Sequence, residues 1–311
     1  MTRTLPLALV FCLLVVLALP AQEPADEPEA EEPDSGEPEE PDFFFLTGGP
    51  YTQKRNSPQI IWGNQWLRER SGAARTRDYV GAGRFEWGLT DRWEADFEFG
   101  ALAHRESSPT TPTLTARGPD DMLVGVRYRL LRETEFPFTL TTGPQVIAPV
   151  ASRRRGLGSG EVGYGWDVAA AKDWGGPVFL VASLNLGLTP NVPAFPDGSG
   201  PEFGLSRVEW STALGLRALE RAAAGGAHHD IHILLEVGGA REDEIEAGQR
   251  TRATSLQFAP GVRYGFLSRG GALAEIGVSF PVGLTAAAPD WGVILQVQFE
   301  LAPLFVSRCR Q

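Results

Sequence analysis

Residues 291–301 read Trp-Gly-Val-Ile-Leu-Gln-Val-Gln-Phe-Glu-Leu, and this alternation decides the fold. Every odd-numbered position carries an apolar side chain, whereas three of the five even-numbered positions carry Gln or Glu. A period of two residues places successive side chains on opposite faces of a β-strand. The stretch therefore predicts a strand with one apolar face and one mostly polar face.

The same alternation recurs upstream and predicts an all-β chain. A composition with 36 Gly, 17 Phe and 8 Trp agrees with this, because aromatic residues favour strands and glycine favours turns. Residues 93–99 repeat the pattern, with Trp, Ala and Phe on one face and acidic residues on the other. The twelve predicted strands are 60–67, 79–87, 93–99, 122–130, 136–147, 162–174, 178–188, 210–219, 231–237, 255–264, 273–284 and 291–301.

The connections between these segments alternate in length. Four are short, four are long, and this rhythm is typical of an outer-membrane barrel. We therefore predict a single closed antiparallel transmembrane β-barrel of about 12 strands within residues 43–311. A soluble β-sandwich is the alternative, although its apolar faces would point inward and its loops would show no such rhythm. The short connections are 88–91, 132–135, 173–177 and 267–271, and the long ones are 105–120, 151–160, 189–204 and 241–250.

The polar faces of three adjacent predicted strands would place an acidic row between two rows that contain arginine. In a closed barrel these side chains would face the lumen and pair across strands. Two interpretations stay open: complete pairing would plug the lumen, whereas hydrated charges would line a narrow passage. The candidate lumen-lining residues are Arg84, Glu86, Glu94, Asp96, Glu98, Arg127, Arg129, Arg217 and Glu236.

Aromatic residues recur beside the short connections. Trp87 and Trp93 flank the first of them, Trp174 lies within another, and Tyr264 precedes a fourth. Transmembrane barrels carry rings of aromatic residues where the wall meets the lipid headgroups. We therefore predict that these four side chains belong to a membrane girdle.

The N-terminal 42 residues differ from the rest of the chain. Residues 1–21 hold one arginine and an apolar run from Leu5 to Leu19, which predicts a secretory signal peptide rather than a membrane-spanning helix. Residues 22–42 contain eleven acidic residues, five prolines and no basic residue, so we predict a disordered acidic segment in the periplasm. The net charge of −11 comes almost entirely from this segment. The body has no basic patch for nucleic acid.

Two motifs resemble a known family. Residues 87–94, Trp-Gly-Leu-Thr-Asp-Arg-Trp-Glu, and residues 120–131, Asp-Asp-Met-Leu-Val-Gly-Val-Arg-Tyr-Arg-Leu-Leu, are similar to a hairpin and a strand of the outer-membrane barrel family assigned to the meta-pathway of phenol degradation. The resemblance covers roughly residues 62–191. It implies a barrel that passes small, often hydrophobic or aromatic, molecules.

Two clusters could carry chemistry. His228, Asp230 and His232 would share one face of a strand and could offer ligands to a metal, although a polar turn entering a strand explains them more simply. His104, Glu106 and Ser107 contain the residue types of a hydrolase, but their spacing does not bring them together. We therefore predict no catalytic residue, no metal site and no cofactor.

The sequence thus predicts an outer-membrane barrel that acts as a passive channel or uptake protein for small solutes. The alternatives are a non-transporting structural or adhesion barrel and, less favoured, a lipid-modifying barrel enzyme. The expected partners are outer-membrane lipid, the barrel-assembly machinery and a small solute whose identity the sequence leaves open, as it does the oligomeric state. The proposed location is the cell outer membrane.

Overall fold

The computed structural model describes residues 43–71, 74–107, 114–155, 157–195, 197–222, 228–246, 248–268 and 272–301. Its strands form one antiparallel sheet, and one 3₁₀ turn lies at Arg153–Arg155. In this part of the chain no helix has the length and apolarity to cross a membrane. The predictions for residues 1–42 lie outside the described residues. The strands are β1 Pro58–Ser71, β2 Ala74–Gly88, β3 Trp93–Ser107, β4 Leu114–Pro119, β5 Met122–Leu131, β6 Thr139–Ala148, β7 Gly163–Asp173, β8 Val178–Pro193, β9 Glu202–Ala222, β10 His228–Glu246, β11 Gln249–Leu267, β12 Leu273–Ser279, β13 Val282–Gly283 and β14 Trp291–Glu300.

The sheet closes on itself. Neighbours in sequence pair around the ring, and β1 pairs with β14 from Gln59↔Glu300 to Arg68↔Trp291. Two wall strands are interrupted: β4 and β5 both pair with β3, and β12 and β13 both pair with β11 and β14. Counting each interrupted strand once gives twelve, so the predicted all-β closed antiparallel barrel of twelve strands is confirmed.

The apolar faces of the strands point outward. On β14, Trp291, Leu295 and Phe299 are exposed, whereas Ile294 and Gln298 are buried. Equivalent exposed side chains follow the ring, including Trp62 on β1 and Trp166 on β7. A sandwich would bury this face, so the inside-out pattern is that of a barrel surrounded by lipid.

The barrel has two unlike ends. At one, which we call the short-turn end, β2 joins β3 through residues 89–92 and β7 joins β8 through residues 174–177. At the other, which we call the far end, β9, β10 and β11 extend to 21, 19 and 19 residues. A transmembrane strand needs only about 9–11 residues, so these three reach beyond the lipid.

The prediction of a long loop at residues 241–250 was wrong. β10 continues to Glu246 and β11 begins at Gln249, with Arg241↔Thr254 and Glu242↔Ala253 among their register pairs. The predicted loop 105–120 likewise contains the end of β3 and all of β4. At the far end, the parts of strands that extend beyond the lipid have water on their outer face. The apolar–polar alternation that marks a membrane-spanning strand is therefore absent there.

The wall begins at Pro58, and the chain before it lies inside the barrel. Residues 43–57 form no strand, although they open the region that the sequence analysis assigned to the barrel. Phe43, Phe44, Tyr51 and Gln53 are each at most 5% exposed, which places them in the interior. We call residues 43–53 the lumen segment and residues 54–57 the pivot.

The outward-facing belt generates a first prediction. Leu235 is exposed and lies on the outer face of β10, near the middle of the part that would cross the membrane. Replacing it with arginine puts a charge in hydrocarbon, which costs about 2–4 kcal/mol near the bilayer midplane. We expect Leu235→Arg to lower the unfolding free energy of the refolded barrel in lipid vesicles by that amount.

Leu235→Met is the matched control and should change stability little, because it stays apolar at similar volume. Urea titration followed by tryptophan fluorescence measures both variants. An arginine tolerated as well as the methionine would mean that this face is not in lipid.

Candidate channel lumen

One carboxylate holds the start of the lumen segment. Glu236 of β10 has no exposed surface and accepts hydrogen bonds from the backbone N–H groups of Phe45, Leu46 and Thr47, each at 2.8 Å. The sequence analysis considered Glu236 as a partner for arginine, and the structure gives it three main-chain donors instead. Charge-assisted hydrogen bonds of this kind are about twice as strong as neutral ones.

Other wall strands bind the rest of the segment through its main chain. Gly48 N–H donates to Ser183 Oγ at 3.2 Å, and Gln53 N–H donates to Glu94 at 2.6 Å. Two arginines bind the main-chain carbonyl oxygens of the segment: Arg127 donates to Gly49 O at 2.8 Å and Arg129 to Thr52 O at 2.7 Å. The Thr141 hydroxyl donates to Pro50 O. The segment therefore crosses the lumen from β10 to β3 with its backbone bound by side chains of five strands.

An apolar cluster supports the same segment from one side. Phe44 packs edge-on against Phe179 of β8 with ring centroids 6.3 Å apart, and Tyr51 belongs to the same buried cluster. Val181 and Leu234 of the wall also belong to this cluster and have no exposed surface. These wall side chains face the lumen, so the lumen has an apolar patch that the segment covers.

The pivot ties the segment to the short-turn end. Asn56 N–H donates to Gly88 O at 2.7 Å, and Gly88 N–H donates to Ser57 O at 3.2 Å. Asn56 has φ of 61°, a left-handed conformation that asparagine tolerates better than most residues. A Cβ on Gly88 would lie 2.1 Å from Lys54 O, so only glycine lets the chain pass over this turn.

The three predicted rows of charge meet around Arg127. The carboxylates of Glu86, Glu94 and Asp96 lie within 4.8 Å of one another, and all three are buried. Arg127 forms ion pairs with Glu94, with Asp96 at 3.2 Å and with Glu86 at 3.4 Å. Arg84 adds contacts to Glu86 at 3.0 Å and to Asp96 at 3.5 Å. Two guanidinium groups thus occupy the space around these carboxylates.

The remaining candidates lie at three places. Arg129 sits over the Tyr51 ring at 5.9 Å, beside its bond to the lumen segment. Arg217 pairs with Asp173 at the short-turn end and lies 5.0 Å above the Phe179 ring. Glu98 is half-buried and faces a cavity beside Arg84.

The cavity lies between the lumen segment and the wall. It measures about 350 Å³ and is bounded by residues 44–49 and Tyr51 on one side, and by β1, β2, β14, Glu98 of β3 and Arg127 of β5 on the other. Its lining mixes polar groups, among them Asn64, Gln65 and Gln296, with Ile61 and Ile294. This volume is large enough for several water molecules or a small organic molecule.

The His228, Asp230 and His232 cluster forms a different network from the one considered in the sequence. Asp230 and His232 are buried and 3.2 Å apart, but Arg263 donates to both and also pairs with Glu275. The guanidinium therefore occupies the place beside Asp230 and His232 that a metal cation would take. The side chains of His104, Glu106 and Ser107 lie outside the described residues.

The four predicted girdle aromatics are exposed on the outer surface. Trp93 packs on Tyr128 of β5 with ring centroids 4.6 Å apart, and the Tyr264 hydroxyl lies 2.6 Å from His229 Nδ1. Trp87 and Trp174 are each exposed near the short-turn end. Their contact with headgroups stays a prediction.

Sequence reasoning did not find the lumen segment. Its residues, Phe-Phe-Phe-Leu-Thr-Gly-Gly-Pro-Tyr-Thr-Gln, show no strand alternation, and that was the one available signal. Three adjacent phenylalanines favour burial, but without apolar–polar alternation the segment cannot form a wall strand that has one lipid-facing side. In this barrel the lumen provides that burial, because Phe43 and Phe44 are at most 5% exposed there.

Comparisons with known proteins agree with this architecture. No family model matches the chain, and no curated protein matches it. The COG4313 outer membrane channel from Pseudomonas putida F1 has 14% identity and a TM-score of 0.58, covering 83% of this chain and 100% of that one. The beta domain of the Bordetella autotransporter BrkA has 11% identity and a TM-score of 0.50, covering 80% and 100%. At such identities the likeness shows the outer-membrane barrel fold alone.

The charge cluster generates a second prediction. Arg127→Ala would leave three buried carboxylates with Arg84 as their main cationic partner. Breaking a buried ion pair from one side costs about 3–5 kcal/mol, and water entering the lumen would offset part of that. We expect a loss on the order of 3 kcal/mol in unfolding free energy.

Arg92→Ala is the control, because Arg92 forms a more exposed surface pair with Glu135 and should change stability by less than about 1 kcal/mol. Equal effects of the two variants in urea titration would contradict the buried network.

Gly88 generates a third prediction. Gly88→Ala would force the backbone of Lys54 away from the turn, an overpacking cost of about 1–3 kcal/mol. Gly176→Ala is matched, because a Cβ there meets no atom within 4 Å. We expect only the first variant to expose the lumen segment to limited proteolysis. Equal digestion patterns would show that the pivot does not depend on this approach.

Proposed function

We propose that this protein is an outer-membrane channel through which small solutes pass passively. One observation carries the proposal: the lumen is wide enough to hold an eleven-residue segment and a 350 Å³ cavity beside it. Barrels of about eight strands are filled by their own side chains, whereas twelve strands leave space that something else must fill. Here the lumen segment, which lies inside the barrel and forms no part of its wall, occupies that space.

Two unlike surfaces of the lumen support a solute class. Arg84, Glu86 and Arg127 form a charged wall, and Phe179 and Leu234 belong to the apolar patch under the lumen segment. A small molecule with an apolar body and one polar group would find a partner for each part. The motif resemblance in residues 87–94 and 120–131 implies a similar class, small hydrophobic or aromatic solutes.

The second candidate is a non-transporting envelope barrel. It is favoured by the ion-paired lumen and by β9, β10 and β11, which extend well past the length that a bilayer needs. Such strands could support adhesion. A lipid-modifying enzyme remains the less favoured alternative from the sequence analysis, and the side chains of its candidate residues His104, Glu106 and Ser107 lie outside the described residues.

Orientation follows from the usual rule for bacterial barrels, which puts short turns in the periplasm and longer connections outside. The lumen segment joins the wall through the pivot at the short-turn end. We infer that the acidic segment before it is periplasmic, as the sequence analysis predicts. Outer-membrane lipid and the barrel-assembly machinery remain the expected partners.

Conductance of a variant without residues 43–53 tests the channel. We expect the refolded variant to show discrete single-channel steps in a planar bilayer, because the deletion removes the segment that crosses the lumen. A folded variant, identified by its heat-modifiable mobility in gels, that stays silent at all voltages would favour the non-transporting barrel.

Ion selectivity then identifies the path. In the deletion variant Arg129 loses its bond to Thr52 and would face the passage. Arg129→Ala in that background should shift the reversal potential in a salt gradient toward cations. Arg92→Ala removes the same charge from the outer surface and should leave the reversal potential unchanged.

A further inference from the structure

We propose that the lumen segment is a gate, latched by Glu236 and hinged at the pivot, that leaves the lumen to open the channel. This inference rests on the proposed channel function and adds a moving part to it. The alternative is a fixed plug that belongs permanently to the core of the barrel.

The first step is that the wall does not need the segment. β1 pairs with β14 through ten consecutive residue pairs, so the ring of backbone hydrogen bonds is complete without residues 43–53. The main-chain groups of the segment bond to wall side chains, and the Thr52 hydroxyl donates to Asp91 O in the turn between β2 and β3; none of these bonds belongs to the β1–β14 ladder. Water in an open lumen can replace bonds of this kind.

The second step concerns the two ends of the segment, which are held differently. The pivot is continuous with β1 and is fixed by backbone bonds between Asn56, Ser57 and Gly88. The start of the segment depends on one side chain, Glu236, for three of its N–H groups. Release therefore begins at Glu236, and the segment turns about the pivot toward the short-turn end.

The third step explains why the closed form is the resting one. Phe44 and Tyr51 bury apolar surface against Phe179, Val181 and Leu234, and an open lumen would expose this patch to water. Burial of apolar surface favours the closed state. A solute that covers the patch would lower the cost of opening, which links the gate to the proposed solute class.

A reversible disulfide tests the movement. A Cβ on Gly48 would lie 3.6 Å from Ser183 Cβ, within the range of about 3.5–4.5 Å that a disulfide requires. The test protein is the full chain with Gly48→Cys and Ser183→Cys, and with Cys12 and Cys309 replaced by serine. We expect it to be silent when oxidised and to open when reduced, with an open probability at least tenfold higher.

A second cysteine pair tests the same movement if the first double variant does not fold. A Cβ on Gly238 would lie 3.6 Å from Leu46 Cβ, so Leu46→Cys with Gly238→Cys locks the segment to β10 instead of β8. Gly48→Cys alone is the control and should not respond to the reductant.

The latch has its own test. Glu236→Gln removes the charge that binds the three N–H groups and should raise the open probability of the otherwise unchanged chain severalfold. Glu135→Gln is the matched control, because Glu135 pairs with Arg92 on the surface and does not line the cavity.

The outcomes separate the two proposals. If the variant lacking residues 43–53 conducts but the reduced cysteine pairs stay as silent as the oxidised ones, the channel stands and the gate is wrong. If oxidised and reduced forms conduct equally, solutes bypass the segment and the gate is again wrong. Silence of the deletion variant overturns the channel itself.

Discussion

The constraint on which this molecule depends is that a backbone in lipid must satisfy its hydrogen bonds internally. Hydrocarbon offers no partner for an N–H or C=O group, so a sheet in a membrane must have no edge. The pairing of β1 with β14 removes the edge here. Closure then determines the rest of the structure. Apolar side chains turn outward and polar ones turn inward, so the charged groups in the interior must find partners there.

The interior of the barrel is organised by its buried carboxylates and their partners. Buried carboxylates are costly unless paired, and this lumen pairs them in two ways. Around Arg127 they face guanidinium groups, whereas Glu236 faces the N–H groups of the lumen segment. The second arrangement couples a wall strand to a part of the chain that the wall does not otherwise hold.

The sequence predicted the wall well because alternation reports directly on which face of a strand meets lipid. It predicted twelve strands and the adjacency of the rows around Arg84, Glu94 and Arg127, since neighbouring strands in a barrel are usually neighbours in sequence. It could not predict the lumen segment, whose Phe44 and Gln53 contact residues far away in the chain and follow no period. The sequence also did not predict the full length of β10 and β11, because the parts of these strands beyond the lipid lack the apolar–polar alternation.

The position of residues 43–53 also constrains how the barrel can be made. The chain passes from the lumen directly into β1, and β1 forms the final seam with the last strand, β14. The bonding partners of the segment lie on β3, β5, β6, β8 and β10. Strands that gather around the segment before the seam closes would meet these partners already in place. The order of assembly would then be set from inside, with the segment acting as a template on which the curved sheet of β3 to β10 gathers before its ends meet.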